Sequence, residues 1–141
     1  MIISLDWRKI ILITLATLLI ISLTATHKDL LKIIYPIYYE NLVFETAAED
    51  NIDPYLLLSI IYVESKFNPE AVSDQGARGL MQIMPQTGDW VANNLGYQNF
   101  EISDLYDPEI NIKCGGWYLA RLKEEFDNRL PVVLAAYNGG Q

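Results

Sequence analysis

Three short segments carry side chains whose chemistry can be pooled: Glu64-Ser65, GARGLMQIMP at 76–85, and AAYNGG at 135–140. Together they supply one carboxylate, one amide, a pair of thioethers and one phenol. Glu64 closes a strongly apolar run, YLLLSIIYVE, that reads as a helix. Burial at such a helix end disfavours the charged carboxylate and raises its pKa. The partial negative charge of a helix C-terminus pushes the same way. A carboxylic acid that keeps its proton near neutral pH can serve as a general acid toward a leaving oxygen. Alone, Glu64 would be an ordinary solvated glutamate in a last helical turn. Gly76 and Gly79 meet backbone needs, one for a turn and one for close approach, and the turn delivers Gln82. A glutamine on a short buried turn needs hydrogen-bond partners. Tyr137 and Asn138 end a helix before a Gly-Gly break.

The elements that must position these groups are helical. Asp53-Pro54 is a helix start, with Asp as N-cap and Pro in the first turn. The helix that follows is apolar on nearly every side, which predicts a central helix buried by its neighbours. Asn68-Pro69 ends it. AVSDQGARG is a loop or broken helix, and residues 80–83 form a helical turn. Pro85 opens another helix that ends near Gly96. Asp107-Pro108 repeats the Asp-Pro start and launches a long amphipathic helix to about Asp127. Pro131 begins the last helix, ending at Asn138-Gly139-Gly140. No stretch alternates with period two, so the fold class is all-α.

A chain of 141 residues has room for one domain of ordinary size. Its hydrophobic half is unevenly spread, because residues 10–26 carry no charge at all. Seventeen residues of helix span roughly 25 Å, close to a bilayer core. Trp7, Arg8 and Lys9 precede the run and favour a cytoplasmic N-terminus. A cleavable signal peptide would end in small residues, and Ser22-Leu23-Thr24-Ala25-Thr26 fits that poorly. We therefore expect a signal anchor over 1–27, a linker and leading helix over 28–51, and a catalytic domain over 52–141. Whether the leading helix packs on the domain is open at this stage. Setting aside Asp6, Arg8 and Lys9 leaves 8 basic and 17 acidic residues from Lys28 on, of the chain's 10 and 18. A net charge near −9 disfavours nucleic acid, which needs a basic face. Cys114 is the sole cysteine and His27 the sole histidine. No internal disulfide can form, and metal sites built from His and Cys are excluded. Cys114 is read as a small buried hydrophobe.

In this order, Glu-Ser, AVSDQGARGLMQIMP, DLYDPEINI and LAAYN resemble the lytic transglycosylase catalytic domain, the goose-lysozyme-like branch of the lysozyme superfamily. The resemblance covers about residues 52–141. It implies a lysozyme-like helical domain and action on peptidoglycan glycan strands, with no cofactor. Residue by residue, it puts the catalytic acid/base on Glu64 and its neighbouring serine on Ser65. A substrate-contacting loop serine falls on Ser73 and the GLMQ glutamine on Gln82, with Met81 and Met84 lining the groove. The tyrosine that hydrogen-bonds the acid falls on Tyr137, with Asn138 beside it. The family's further helix after the YN-Gly motif has no counterpart here, so the domain is expected to lack it.

The resemblance also implies a chemistry with one carboxylate. Ordinary glycoside hydrolysis uses two. In the family, a single Glu protonates the oxygen between N-acetylmuramic acid and N-acetylglucosamine, then takes the proton of the muramyl C6 hydroxyl. That hydroxyl attacks C1 and closes a 1,6-anhydro ring, so a tethered nucleophile replaces activated water. Two rivals stay open: a muramidase-type hydrolase on the same fold, and a non-catalytic peptidoglycan-binding module of the envelope. Bland readings stand beside the functional ones. Ser65 can bond its own helix backbone, and Met81 and Met84 can fill the core. Trp90, Trp117, Tyr97 and Tyr106 can stack on sugars, although core packing suits the two tryptophans better. The expected location is the cell membrane, single-pass with the catalytic domain outside, or secretion if the segment is cleaved.

Overall fold

The structure, a computed structural model, describes the backbone of residues 7–34 and 38–139 and the side chains of residues 7–22 and 38–139. Those residues form six α-helices and one 3₁₀ turn: α1 (Trp7–Ile34), α2 (Glu40–Glu49), α3 (Pro54–Ser65), α4 (Pro85–Leu95), the turn Ile102–Tyr106, α5 (Pro108–Glu125) and α6 (Leu130–Gly139). There is no strand among them, only isolated antiparallel bridges from Arg78 to Val72 and to Ile83. The all-α expectation holds.

Two units separate near residue 37. In the first, α1 is one helix of 28 residues. It runs on through residues 28–34, where the sequence suggested a linker, because no Pro or Gly interrupts before Pro36. Every described side chain of α1 is exposed. Among the described residues no helix is long and apolar enough to cross a membrane. The expected anchor over 1–27 falls partly outside them, at residues 1–6 and in its side chains from 23 on.

The second unit begins at Tyr38 and holds the core. It includes α2, which packs on α3 and α5 through Val43, Thr46 and Ala47. The leading helix is therefore part of the domain. Asp53 caps α3 as expected, its carboxylate accepting from the Tyr55 N–H at 2.8 Å. Asp107 does the same for α5, accepting from Glu109 and Ile110.

The expectation that α3 is the buried central helix is corrected. Leu57, Leu58, Ile60, Ile61 and Ser65 face the core, while Tyr55 and Val63 are 65% and 69% exposed. An apolar residue count overstates burial when a small domain has only one stripe to cover. The hub is α5, which touches α2, α4, α6 and the 3₁₀ turn. It buries Asn111, Ile112, Cys114, Tyr118, Leu119 and Leu122. Gly115 lets the neighbouring loop approach: a Cβ there would stand 2.3 Å from the Met81 sulfur.

Candidate active site

A cleft of about 530 Å³ opens where α3, the loop 71–84 and α6 meet. Glu64 enters it from the last turn of α3, which stops because Lys66 and Phe67 both take left-handed backbone, φ 54° and 63°. Ser73, Gln75 and Ala77 line it from the loop, and Gln82 and Met84 from the turn that follows. Tyr137, Asn138 and Gly139 line it from α6. Gly140 lies outside the described residues.

The loop is tied to itself. Ser73 and Ala77 bond through their backbones at 3.0 Å, and the Ser73 hydroxyl accepts from the Ala77 N–H at 3.0 Å. Arg78 and Ile83 exchange two backbone bonds of 2.9 and 3.0 Å. Between them the chain reverses with Gly79 at φ 75° and Gln82 at φ 49°. Gln82 finds its partners in this turn: its amide nitrogen donates to the carbonyls of Ala71 (3.1 Å) and Gly79 (2.9 Å). Both amide protons are spent on backbone, which leaves the amide oxygen as the acceptor this side chain offers.

Burial raises the pKa of Glu64 above the ordinary carboxyl value. The two ion pairs among the described residues, Lys113–Glu109 and Arg121–Glu124, do not involve it. No neighbouring cation therefore pulls the proton off. Tyr137 is held neutral more firmly, first by burial and then by the charges of Glu64, Tyr118 and Cys114. Its hydroxyl donates to the Met81 carbonyl at 2.9 Å. The bond expected from this hydroxyl to the Glu64 carboxyl group is thus not the one formed. Tyr137 stands beside the acid as a fixed wall, anchored to the loop.

Two other expectations change. Ser65 does not line the cleft; it is buried, and its hydroxyl donates to the Ile61 carbonyl one turn back at 3.1 Å. Met81 is fully buried against Gly115, so of the methionine pair only Met84 lines the groove. Trp90 and Trp117 pack edge to face at 5.1 Å away from the cleft, and neither Tyr97 nor Tyr106 lines it. Cys114 is fully buried and its thiol is pushed up to about 11 by burial, in keeping with a packing role. Gln75, Ala77 and Gly139 line the cleft without having been singled out.

A further residue went unnoticed. Asn111 on α5 is fully buried; its oxygen accepts from the Met81 N–H at 2.8 Å, and its nitrogen donates to the carbonyls of Leu105 (2.7 Å) and Arg78 (3.0 Å). A signal existed. Asn111 shares the apolar face of α5 with Cys114, Tyr118 and Leu122, where an amide must have partners.

The sequence model of the family described as Transglycosylase SLT domain matches residues 41–141. The membrane-bound lytic murein transglycosylase C of Edwardsiella ictaluri is 36% identical over 118 residues, covering 72% of this chain and 31% of that protein. The crystal structure of the 70 kDa soluble lytic transglycosylase of Escherichia coli is similar with a TM-score of 0.72 at 33% identity, over 82% of this chain and 19% of that one. That of the lytic transglycosylase Slt of Pseudomonas aeruginosa, an inactive Glu-to-Gln variant, gives 0.73 at 29% identity over 78% and 18%. The chain spans about a third of the length of the first of these relatives.

Proposed function

The chain belongs to the transglycosylase SLT domain family, and on that premise we propose that it is a peptidoglycan lytic transglycosylase. It cuts the β-1,4 bond between N-acetylmuramic acid and N-acetylglucosamine and leaves 1,6-anhydro-muramyl ends. One observation carries this reading: among the described residues lining the cleft, Glu64 is the sole carboxylate. A hydrolase of the usual kind would need a second to activate water or to act as nucleophile.

Glu64, whose burial favours the protonated carboxyl group, donates its proton to the glycosidic oxygen as the bond to muramyl C1 breaks. The resulting carboxylate takes the proton of the muramyl C6 hydroxyl as that oxygen bonds to C1. Glu64 ends protonated again, and no water is consumed. Holding the sugar so that C6–OH faces C1 is then the protein's main task, and effective molarity supplies much of the rate. Ser73, Gln82, Met84 and Asn138 line the cleft for that purpose. The Gln82 amide oxygen is suited to a sugar hydroxyl or N-acetyl N–H. The Ser73 hydroxyl keeps its own proton to donate, since it accepts from the Ala77 N–H. Tyr137 walls the site beside the acid.

Residues 10–26 attach the chain to the cytoplasmic membrane, with the catalytic unit on the outer face. The uncharged run, the exposed apolar side chains of α1 and the cations Arg8 and Lys9 before it support this. The word membrane-bound in the name of the Edwardsiella relative points the same way. Retention in membranes after a high-salt wash is the expected result, because burial of apolar surface is not screened by ions.

Mass spectrometry of fragments released from purified wall tests the reaction. Anhydro-muramyl ends are expected. Reducing muramyl ends as the sole product would place the chain among hydrolases, and no release at all would favour a binding module.

A further inference from the structure

We propose that Asn111, buried in α5 and outside the cleft, is the positioning residue that sets Tyr137 and Gln82 against Glu64, through its bonds to the loop at Arg78 and Met81. This rests on Glu64 being the acid of the reaction above.

The geometry is a relay of hydrogen bonds from Asn111 through Met81 to Tyr137. The Asn111 amide uses both donors and its acceptor on backbone groups: the Met81 N–H, the Arg78 carbonyl and the Leu105 carbonyl. Arg78 and Met81 flank the reversal at Gly79, so the amide grips the loop on both sides of its tightest point. The peptide groups of Met81 join two partners, since its N–H bonds Asn111 and its carbonyl accepts from Tyr137 at 2.9 Å. Gln82 follows directly in left-handed backbone, φ 49°, a conformation that a non-glycine residue keeps only when its surroundings impose it. Gly79 is shaped around the same amide: a Cβ there would lie 2.1 Å from the Leu105 carbonyl oxygen and 2.3 Å from the Asn111 nitrogen. A packing residue could be apolar at this position. The site instead holds an amide with all three of its principal bonding directions filled in a fully buried position, where a lost partner is costly.

The same relay accounts for the neighbourhood of the acid. Met81 seats its side chain on Gly115 of α5, so backbone and side chain both fix the turn to the hub helix. The wall formed by Tyr137 then moves only if that turn moves.

The test is a double-mutant cycle on the full chain in detergent, with Asn111→Asp and Tyr137→Phe. Aspartate keeps the size and the acceptor oxygen but loses both donors, which releases the Arg78 and Leu105 carbonyls. With native circular dichroism, kcat should fall by on the order of 100-fold, as a misplacement near 1 Å can cause, while KM holds. In the Tyr137→Phe background the same substitution should cost little more. An unchanged kcat, or losses that multiply fully in the double variant, would overturn the proposal. If Asn111→Asp does not fold, amide exchange in the unmodified chain decides. A Met81 N–H that exchanges only through global unfolding supports the latch, and one that exchanges by local opening refutes it. If the unmodified chain releases no muropeptide, the reaction assignment fails by itself. The positioning claim is then judged by carboxyl NMR titration of Glu64 in a folded Asn111→Asp variant. A pKa that relaxes toward the ordinary value supports it, and an unmoved pKa overturns it.

Discussion

Replacing Tyr137 with Phe is the sharpest probe of how the cleft is held. The ring would stay against Tyr118, 5.6 Å between centroids, and only the hydroxyl would go. Its partner is the carbonyl of Met81, a residue with no solvent exposure. A buried acceptor stripped of its donor costs about 1–3 kcal/mol. In a folded unit of roughly 100 residues each kcal/mol lowers the Tm by about 4–8 °C, so a drop of about 4–24 °C is expected. Thermal melts of the full chain followed by circular dichroism measure it. The rate should also fall, since the wall beside Glu64 loosens. If the whole 1–3 kcal/mol reached the transition state, the loss would be about 5- to 150-fold. The resemblance implies instead a bond from this hydroxyl to Glu64, whose loss would slow the reaction and leave the fold intact. A variant with unchanged Tm and a large rate loss would restore that earlier view and refute the Met81 assignment. A lower Tm with an unchanged rate would make Tyr137 a structural residue only.

Glu64→Gln should abolish nearly all muropeptide release while keeping the fold, because the amide can neither give nor take the proton. It should also be more stable than the parent near neutral pH. A folded pKa raised by burial means stability present below the unfolded value and lost as pH rises through the folded one, and Gln lacks that loss. The gain should vanish in melts run below about pH 4. For the same reason the activity of the parent should decline as pH rises through the raised Glu64 pKa, and a rate that shows no such decline anywhere from acid to alkaline pH would count against Glu64 as the acid. Asp50, raised to about 6 by burial and by Glu49 beside it, should behave alike: Asp50→Asn stabilises above pH 6 and not below pH 3.8. Because Asp50 is only half-buried, screening should hold that gain to about 1 kcal/mol or less. Cys114, fully buried with its thiol near 11, should resist alkylation until the protein unfolds; rapid labelling of the native chain would contradict its place in the core.

What could be read from the residues was mostly local. Asp53 and Asp107 act on N–H groups two or three residues on, so their caps were visible as Asp-Pro pairs. Gly96 closes α4 in left-handed backbone, as a glycine after an amphipathic run should. The resemblance to the lytic transglycosylase domain puts Glu64, Ser73, Gln82, Met84, Tyr137 and Asn138 in one site, and all six line the cleft. Met81 was misjudged for a definite reason. Helical spacing puts Met81 and Met84 on one side, but the left-handed Gln82 between them turns one into the core and the other into the groove. Ser65 sat next to the acid in sequence and points elsewhere, because its hydroxyl satisfies a carbonyl one turn back. Asn111 and the true partner of Tyr137 were out of reach, since their bonds join segments that no local pattern relates.

The span of those bonds bears on when the site comes into being. Tyr137 and Met81 are 56 residues apart, and Asn111 reaches 30 and 33 residues back. Closing such loops costs chain entropy before any contact repays it, so these links form late in folding. A nascent chain exposes Glu64 well before α6 has been made, and during that interval the carboxyl group sits in water with an ordinary affinity for its proton. Only when the last helix docks is the cleft around the acid complete. For a catalyst proposed to cut the polymer that encloses a cell, a site completed only by its last helix stays unassembled while the chain is being made.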